Sequence, residues 1–134
     1  MADFFWYNPS GSANWTSTGV SGRWYSASGG TGTKYTTVPT STDNAIFDAA
    51  SGAGICNFQN AAVGLCFNLY CNGLSGTSPT TTQISGAPNS VLNVYGSIQL
   101  SSNQVFDLKQ TPKVAMVGSG SYTINTNGNS FGDI

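Results

Sequence analysis

Asp43 and Asp48 lie five residues apart and are the first place in this chain to look for chemistry. Two carboxyl groups flanking a sugar bond suffice for glycoside hydrolysis, one as acid and the other as base or nucleophile. Asp43, however, closes the run Pro39-Thr40-Ser41-Thr42-Asp43-Asn44, a setting in which an aspartate accepts backbone N–H bonds and caps a turn. The turn-cap reading is the stronger, because the carboxylates are scattered along the chain and form no acidic groove.

Other catalytic arrangements lack a part. There is no histidine to serve as base for a serine nucleophile, and no nucleophile-elbow pattern. Gly29-Gly30-Thr31-Gly32-Thr33-Lys34 superficially resembles a phosphate loop, but it lacks the required spacing and a following helix, so it reads as a flexible surface loop. Cys56, Cys66 and Cys71 are odd in number, and no histidine is available as a fourth zinc ligand. They read as free thiols packed as small hydrophobes. In one regular strand Cys66 and Cys71 face opposite ways, so a disulfide between them would require a break in the strand. No cofactor or metal is expected.

Trp6, Trp15, Trp24 and Tyr25 would make a carbohydrate-stacking platform if their rings lay exposed and coplanar. The alternative is that they plug the N-terminal end of the molecule, with Arg23 laid over an aromatic face. All three tryptophans fall within the first 24 residues. So many large rings in a small protein must largely be buried to supply its core, which favours the plug.

The elements that position these residues follow from composition and pattern. At 134 residues the chain suits one domain, 1-134, with an aromatic, Gly/Ser/Thr-rich cap region over 1-45 and stacked short strands over 46-134. Charged residues make up 7% of the chain, and the net charge is −1. That leaves no basic stripe for nucleic acid. No run of about 18 apolar residues exists to form a transmembrane helix, and the N-terminus has no basic region leading into an apolar one. The expectation is a chain made in the cytoplasm without an export signal, with neither nucleic acid nor membrane as partner.

Helical periodicity is almost absent, and any helix between Ala49 and Gly64 is short because Gly52, Gly54 and Gly64 interrupt it. Strand signals are plentiful. Cys66 to Gly73 alternates with Phe67, Leu69 and Cys71 on one face, and Asn72-Gly73 supplies a tight turn. In Val91 to Leu100, Leu92, Val94, Ile98 and Leu100 share a face, with Gly96 at a bend. Val105 to Leu108, Val114 to Gly118 and Tyr122 to Gly128 continue the series. The fold class is all-β, a short β-solenoid with an aromatic-rich N-terminal cap or, alternatively, a β-sandwich. Low charge with inward Val, Ile, Leu and Phe and outward Ser, Thr and Asn favours the solenoid.

The order of these segments resembles a family of β-solenoid structural proteins of tailed bacteriophages. The resemblance is carried by Phe5-Trp6, Trp15 and Trp24, by Val38 to Ala49, by Leu92 to Leu100 and by Tyr122 to Gly128. It spans nearly the full length. It implies a virion structural protein, most simply a capsid decoration or cement protein on the outer capsid surface. The implied partners are the major capsid protein and copies of the chain itself, as a dimer or trimer. A tail-fibre or adhesin module binding host-surface glycan is the alternative.

On this reading the chain's end, Ser130 to Ile134, leaves an uncovered coil that must be capped or paired. Phe4, Phe5, Trp6 and Tyr7 at one end, and Tyr122, Ile124, Phe131 and Ile134 at the other, are the expected contact residues. Trp15, Trp24, Pro39, Asp43 and Phe47 are the expected structural cap. The segment from Tyr122 to Ile134 is the expected element for strand addition to a neighbour.

Overall fold

Short runs of alternating apolar residues, separated by Gly, Asn, Ser and Thr, fold here into strands of two to five residues joined by tight corners. The computed structural model describes residues 1–72, 84–100 and 112–127. In chain order the strands are β1 (Asp3–Trp6), β2 (Ser12–Asn14), β3 (Trp24–Tyr25), β4 (Asn44–Asp48), β5 (Ile55–Phe58) and β6 (Val63–Cys66), followed by β7 (Leu69–Asn72), β8 (Ile84–Gly86), β9 (Val91–Val94), β10 (Ile98–Leu100), β11 (Lys113–Met116) and β12 (Ile124–Asn125). Single 3-10 turns occupy Gly19–Ser21 and Ser28–Gly30, and the described residues contain no α-helix. The protein is all-β.

The strands form three sheets. One has six strands in the order β12-β10-β7-β4-β1-β3, a second has β11-β9-β6 and a third has β2-β5-β8. From β4 onward the chain visits the six-stranded, β2-β5-β8 and β11-β9-β6 sheets in turn and repeats that order from β7; the described strands that follow, β10, β11 and β12, lie in the six-stranded, the β11-β9-β6 and again the six-stranded sheet. Between the named strands every pairing is parallel except β1 with β3. The register is continuous, with Phe4 against Ala45, Ala45 against Leu69, Leu69 against Ile98 and Ile98 against Ile124.

Because strand side chains alternate, one set of each strand faces a common core. Phe4 and Trp6, Ala45 and Phe47, Leu69 and Cys71, and Ile98 and Leu100 are buried from the large sheet. Cys56, Phe58 and Ile84 join them from the β2-β5-β8 sheet, and Cys66, Leu92, Val94 and Val114 from the β11-β9-β6 sheet. Gly64 faces the same core, where an added Cβ would lie 2.6 Å from Phe58 and 3.1 Å from the Trp15 indole nitrogen. The missing side chain is what leaves room for the large rings opposite.

The sequence reading of Cys66 to Gly73 as one strand is corrected. The strand ends at Cys66 and restarts at Leu69, with Phe67 and Asn68 turning the corner. The Phe67 N–H donates to Asp43 O, and Phe67 O accepts from Gly96 N–H, each at 2.6 Å. The corner resets the alternation, so Cys66, Leu69 and Cys71 are all buried while Phe67 is half-buried. All three cysteines are free thiols. The segment Val91 to Leu100 likewise divides at Tyr95-Gly96-Ser97 into β9 and β10, and Leu92, Val94, Ile98 and Leu100 are all buried.

The N-terminal region does more than cap. β1 and β2 already pair in parallel with β4 and β5, so the first 45 residues contribute strands to two sheets. The connection between β2 and β4 carries Trp15, Trp24 and Pro39 inward. Trp15 and Trp24 meet edge to face at 4.8 Å, Trp6 and Trp24 at 5.1 Å, and Trp15 packs on Phe58 at 5.1 Å. The Trp24 indole N–H donates to Trp15 O at 3.1 Å.

The Gly29 to Lys34 segment is a hydrogen-bonded turn rather than an open loop. Ser26 N–H donates to Thr33 O and Thr33 N–H to Ser26 Oγ, each at 2.9 Å. Gly30, at φ +72°, lies where any side chain would run into the Tyr7 ring. The expected strand Val105 to Leu108, the turn glycines Gly73 and Gly128, and the contact residues Phe131 and Ile134 lie outside the described residues.

Candidate functional site: the outer face of the six-stranded sheet

The residues alternating with the core set of the six-stranded sheet form one outward row. Tyr25 pairs with Phe5, Phe5 with Ile46, Ile46 with Tyr70, Tyr70 with Gln99, and Gln99 with Asn125. Tyr25, Phe5, Ile46 and Tyr70 are half-buried, whereas Gln99 and Asn125 are exposed. Tyr7 extends the aromatic end, meeting Tyr25 edge to face at 6.1 Å. The row is apolar and aromatic toward β3 and polar toward β12.

Along one side of this row runs a ladder of polar side chains at the entry to each strand. Asn44 Nδ2 donates to Asp3 Oδ1 at 2.7 Å, and Asn68 Nδ2 donates to Asn44 Oδ1 at 2.9 Å. Ser97 N–H donates to Asn68 Oδ1 at 2.7 Å, and Thr123 N–H donates to Ser97 Oγ at 3.1 Å. Each step therefore fixes the lateral position of the next strand. Sequence reasoning missed the ladder. Its signal is a polar residue placed immediately before the first apolar residue of the strand, as in Asp3-Phe4, Asn44-Ala45, Asn68-Leu69, Ser97-Ile98 and Thr123-Ile124.

Asp43 and Asp48 each accept hydrogen bonds within turns. Asp43 accepts from Thr40 N–H at 3.1 Å, Thr40 hydroxyl at 2.6 Å and Ala2 N–H at 3.0 Å. Burial pushes its carboxyl up, but these hydrogen bonds outweigh it and hold the pKa below the ordinary 3.8. Asp48 accepts from Ala50 N–H at 2.9 Å. Asp43 precedes β4 and Asp48 ends it, so five strand rises of ~3.3 Å separate them, on the order of 16 Å. That exceeds the ~5–9.5 Å that glycoside hydrolysis uses. Among the described residues no group of three or more His, Cys, Asp or Glu could hold a metal ion.

The aromatic contact set divides. Phe4 and Trp6 face inward at 5% and 1% exposure, so these two expected contact residues are core residues instead. Their positions on β1 alternate with Phe5 and Tyr7, which stay on the outside. Trp15 and Trp24 are fully buried, as is Phe47, which leaves the tryptophans no open ring face for a sugar. Among the described residues Arg23 stacks on no ring; it lines a surface cavity with Ser12, Asn14 and Ser21.

At the far end Tyr122 and Ile124 are exposed, and Tyr122 meets Phe67 edge to face at 6.0 Å. β12 is the edge strand there, and it is confined to Ile124–Asn125. No described helix is long and apolar enough to cross a membrane. Comparison with known proteins gives no match to a family model, to a curated protein or to a solved structure.

Proposed function

We propose that this chain is a short β-solenoid that serves as a structural protein of a bacteriophage particle. In this reading it is a capsid decoration protein, bound to the outer shell where major capsid proteins meet. The solenoid reading is supported by the repeated path through three sheets and by the parallel register from Phe4 to Ile124.

The observation that carries the function is the outward row Phe5, Ile46 and Tyr70, an apolar strip on the outside of a sheet whose strands are locked by the polar ladder. Such a strip gains free energy when covered, roughly 25 cal/mol per Å² of apolar area. A decoration protein works by that gain, stabilising the closed shell over its open states through mass action. No turnover is part of this mechanism. Self-association as a dimer or trimer would use the β12 edge, where Tyr122 and Ile124 are exposed.

A second reading is favoured by the same row. Tyr25, Phe5 and Tyr70 are the aromatics left on the outside of this sheet, and such rings also suit stacking on host-surface glycan in a tail-fibre or adhesin module. Reconstruction of purified particles of the encoding virus separates the two. Density of this size at regular capsid positions, with the six-stranded sheet facing the shell, supports decoration. Confinement to the tail tip, or absence from particles, overturns it in favour of the adhesin.

A further inference from the structure

The apolar strip on the six-stranded sheet has acidic margins. The outward residues are Asp3 and Phe5 in β1, and Asn44, Ile46 and Asp48 in β4. Asp3 stands beside Asn44, Phe5 beside Ile46, Ile46 beside Tyr70 and Asp48 beside Asn72. Asp3 therefore borders the strip where the strands enter, and Asp48 borders it where they leave. Four strand rises of ~3.3 Å set these margins about 13 Å apart along the strands.

Each of these two carboxylates keeps one oxygen unused. Asp3 Oδ1 accepts from Asn44 Nδ2 at 2.7 Å, and Asp48 Oδ1 accepts from Ala50 N–H at 2.9 Å. Among the described residues neither Oδ2 has a donor, and neither carboxylate forms an ion pair. Asp43 differs, because Ala2 N–H occupies its Oδ1 while Thr40 N–H and the Thr40 hydroxyl occupy its Oδ2.

The described cations are engaged elsewhere. Arg23 lines the cavity beside β2, and Lys113 begins β11 in another sheet. Lys34 bridges to Tyr25 at the end of the row, but its Nζ donates to Val20 O at 2.8 Å. Negative charge without a described counter-charge thus flanks the strip on both sides.

This charge pattern selects among occupants. A two-fold axis along the strands would lay each acidic margin of one copy on the same margin of a second, and an axis across them would lay Asp3 against Asp48. Like charges meet in either case, which disfavours a second copy of the chain. An anionic lipid or nucleic-acid surface is repelled for the same reason.

Taking the row as the docking face proposed above, we infer that it receives a protein surface with an apolar anchor and a Lys or Arg on either side of it. The anchor covers Phe5, Ile46 and Tyr70, and the two cations bond to the unused oxygens of Asp3 and Asp48. An apolar centre with a polar rim is the ordinary division of a protein interface. Rim charges of this kind act chiefly on the association rate and its salt dependence.

The test is co-sedimentation of the full chain with purified capsids of the encoding virus that lack it, at about 50 and about 500 mM NaCl, which brackets strong and weak screening. Asp3→Asn and Asp48→Asn each remove a charge but keep an acceptor oxygen for Asn44 or Ala50. Thermal melts check that both variants fold, and the salt titration of the parent needs neither. Parent affinity is expected to fall about three- to tenfold at high salt, and the double variant to bind weaker by a similar factor at low salt with most of the salt dependence gone. Parent binding that ignores salt, or a double variant that binds like the parent at low salt, overturns the basic partner and leaves the decoration reading standing. A parent that never sediments with capsids overturns both. A parent dimer in sedimentation velocity that Ile46→Asp dissolves means that a second copy holds the strip, and overturns the assignment.

Discussion

The side chain of Asn68 joins its two neighbouring strands at once, donating from Nδ2 to Asn44 Oδ1 at 2.9 Å and accepting at Oδ1 from Ser97 N–H at 2.7 Å. An amide is the group suited to this place, because it offers a donor on one side and an acceptor on the other. Leucine would fill the volume and satisfy neither neighbour.

Asn68→Ala is therefore expected to destabilise the fold by about 1–3 kcal/mol, the range for leaving partly buried polar groups unpaired. Urea unfolding followed by tryptophan fluorescence checks this, since all three tryptophans are buried in the native state. A variant as stable as the parent would mean that water replaces the ladder at no cost.

Gly64 admits no side chain without displacing Phe58 or Trp15. Gly64→Val is expected to cost about 1–3 kcal/mol or more through overpacking. Pairing it with Phe58→Ala, which opens space at the same spot, should return part of that loss. A double-mutant cycle reads the coupling directly.

The three thiols are fully or almost fully buried. Burial pushes the Cys66 thiol from its ordinary 9.0 up to about 12, and raises Cys56 and Cys71 as well. The folded state thus favours the protonated thiol, so this contribution is intact below about pH 9 and is lost as the pH rises toward 12. Alkylation by iodoacetamide at pH 8 should be slow in the native protein and complete after unfolding. Stability should fall on the alkaline side, and less steeply in a Cys66→Ala variant.

Asp43 acts in the opposite direction. Its folded carboxyl sits below the ordinary 3.8, so its stabilising effect is present above that value and is lost as the pH falls through the folded one. Asp43→Asn should be less stable at neutral pH and should show a flatter decline in acid, as measured by thermal melts between about pH 2 and 7.

For the outer face, Ile46→Asp and Tyr70→Asp should abolish co-sedimentation with capsids while leaving the melting temperature nearly unchanged, because both side chains are only half-buried. Retained binding by both variants would exclude the row as the contact surface.

Much of this architecture was legible in the residues themselves. The all-β class followed from short alternating runs and the lack of any 3.6-residue period. The bend at Gly96 and the shared inward face of Leu92, Val94, Ile98 and Leu100 could be read from spacing alone. What spacing could not give was the corner at Phe67-Asn68. Alternation assumes a continuous strand, and a two-residue turn without glycine or proline leaves the hydrophobic pattern looking unbroken.

The same limit explains the contact residues. Phe4 and Trp6 were grouped with Phe5 and Tyr7 because they are contiguous and aromatic, yet β1 sends them to opposite faces. Parity within one strand was available; which parity faces the core depends on β4 and β3, which lie far along the chain. The ladder needed the register between strands, and the Arg23 cavity needed the path of the turn after β2. Neither is encoded locally.

The ladder steps are unequal in sequence, spanning 24 residues from Asn44 to Asn68, 29 from Asn68 to Ser97 and 26 from Ser97 to Thr123, although each rung meets the next in unbroken register. Extra residues are therefore absorbed between rungs without changing the spacing of the rungs themselves. Insertions in those connections would lengthen the chain without shifting the paired residues, so peptide tags or displayed sequences placed there should leave the strand register intact.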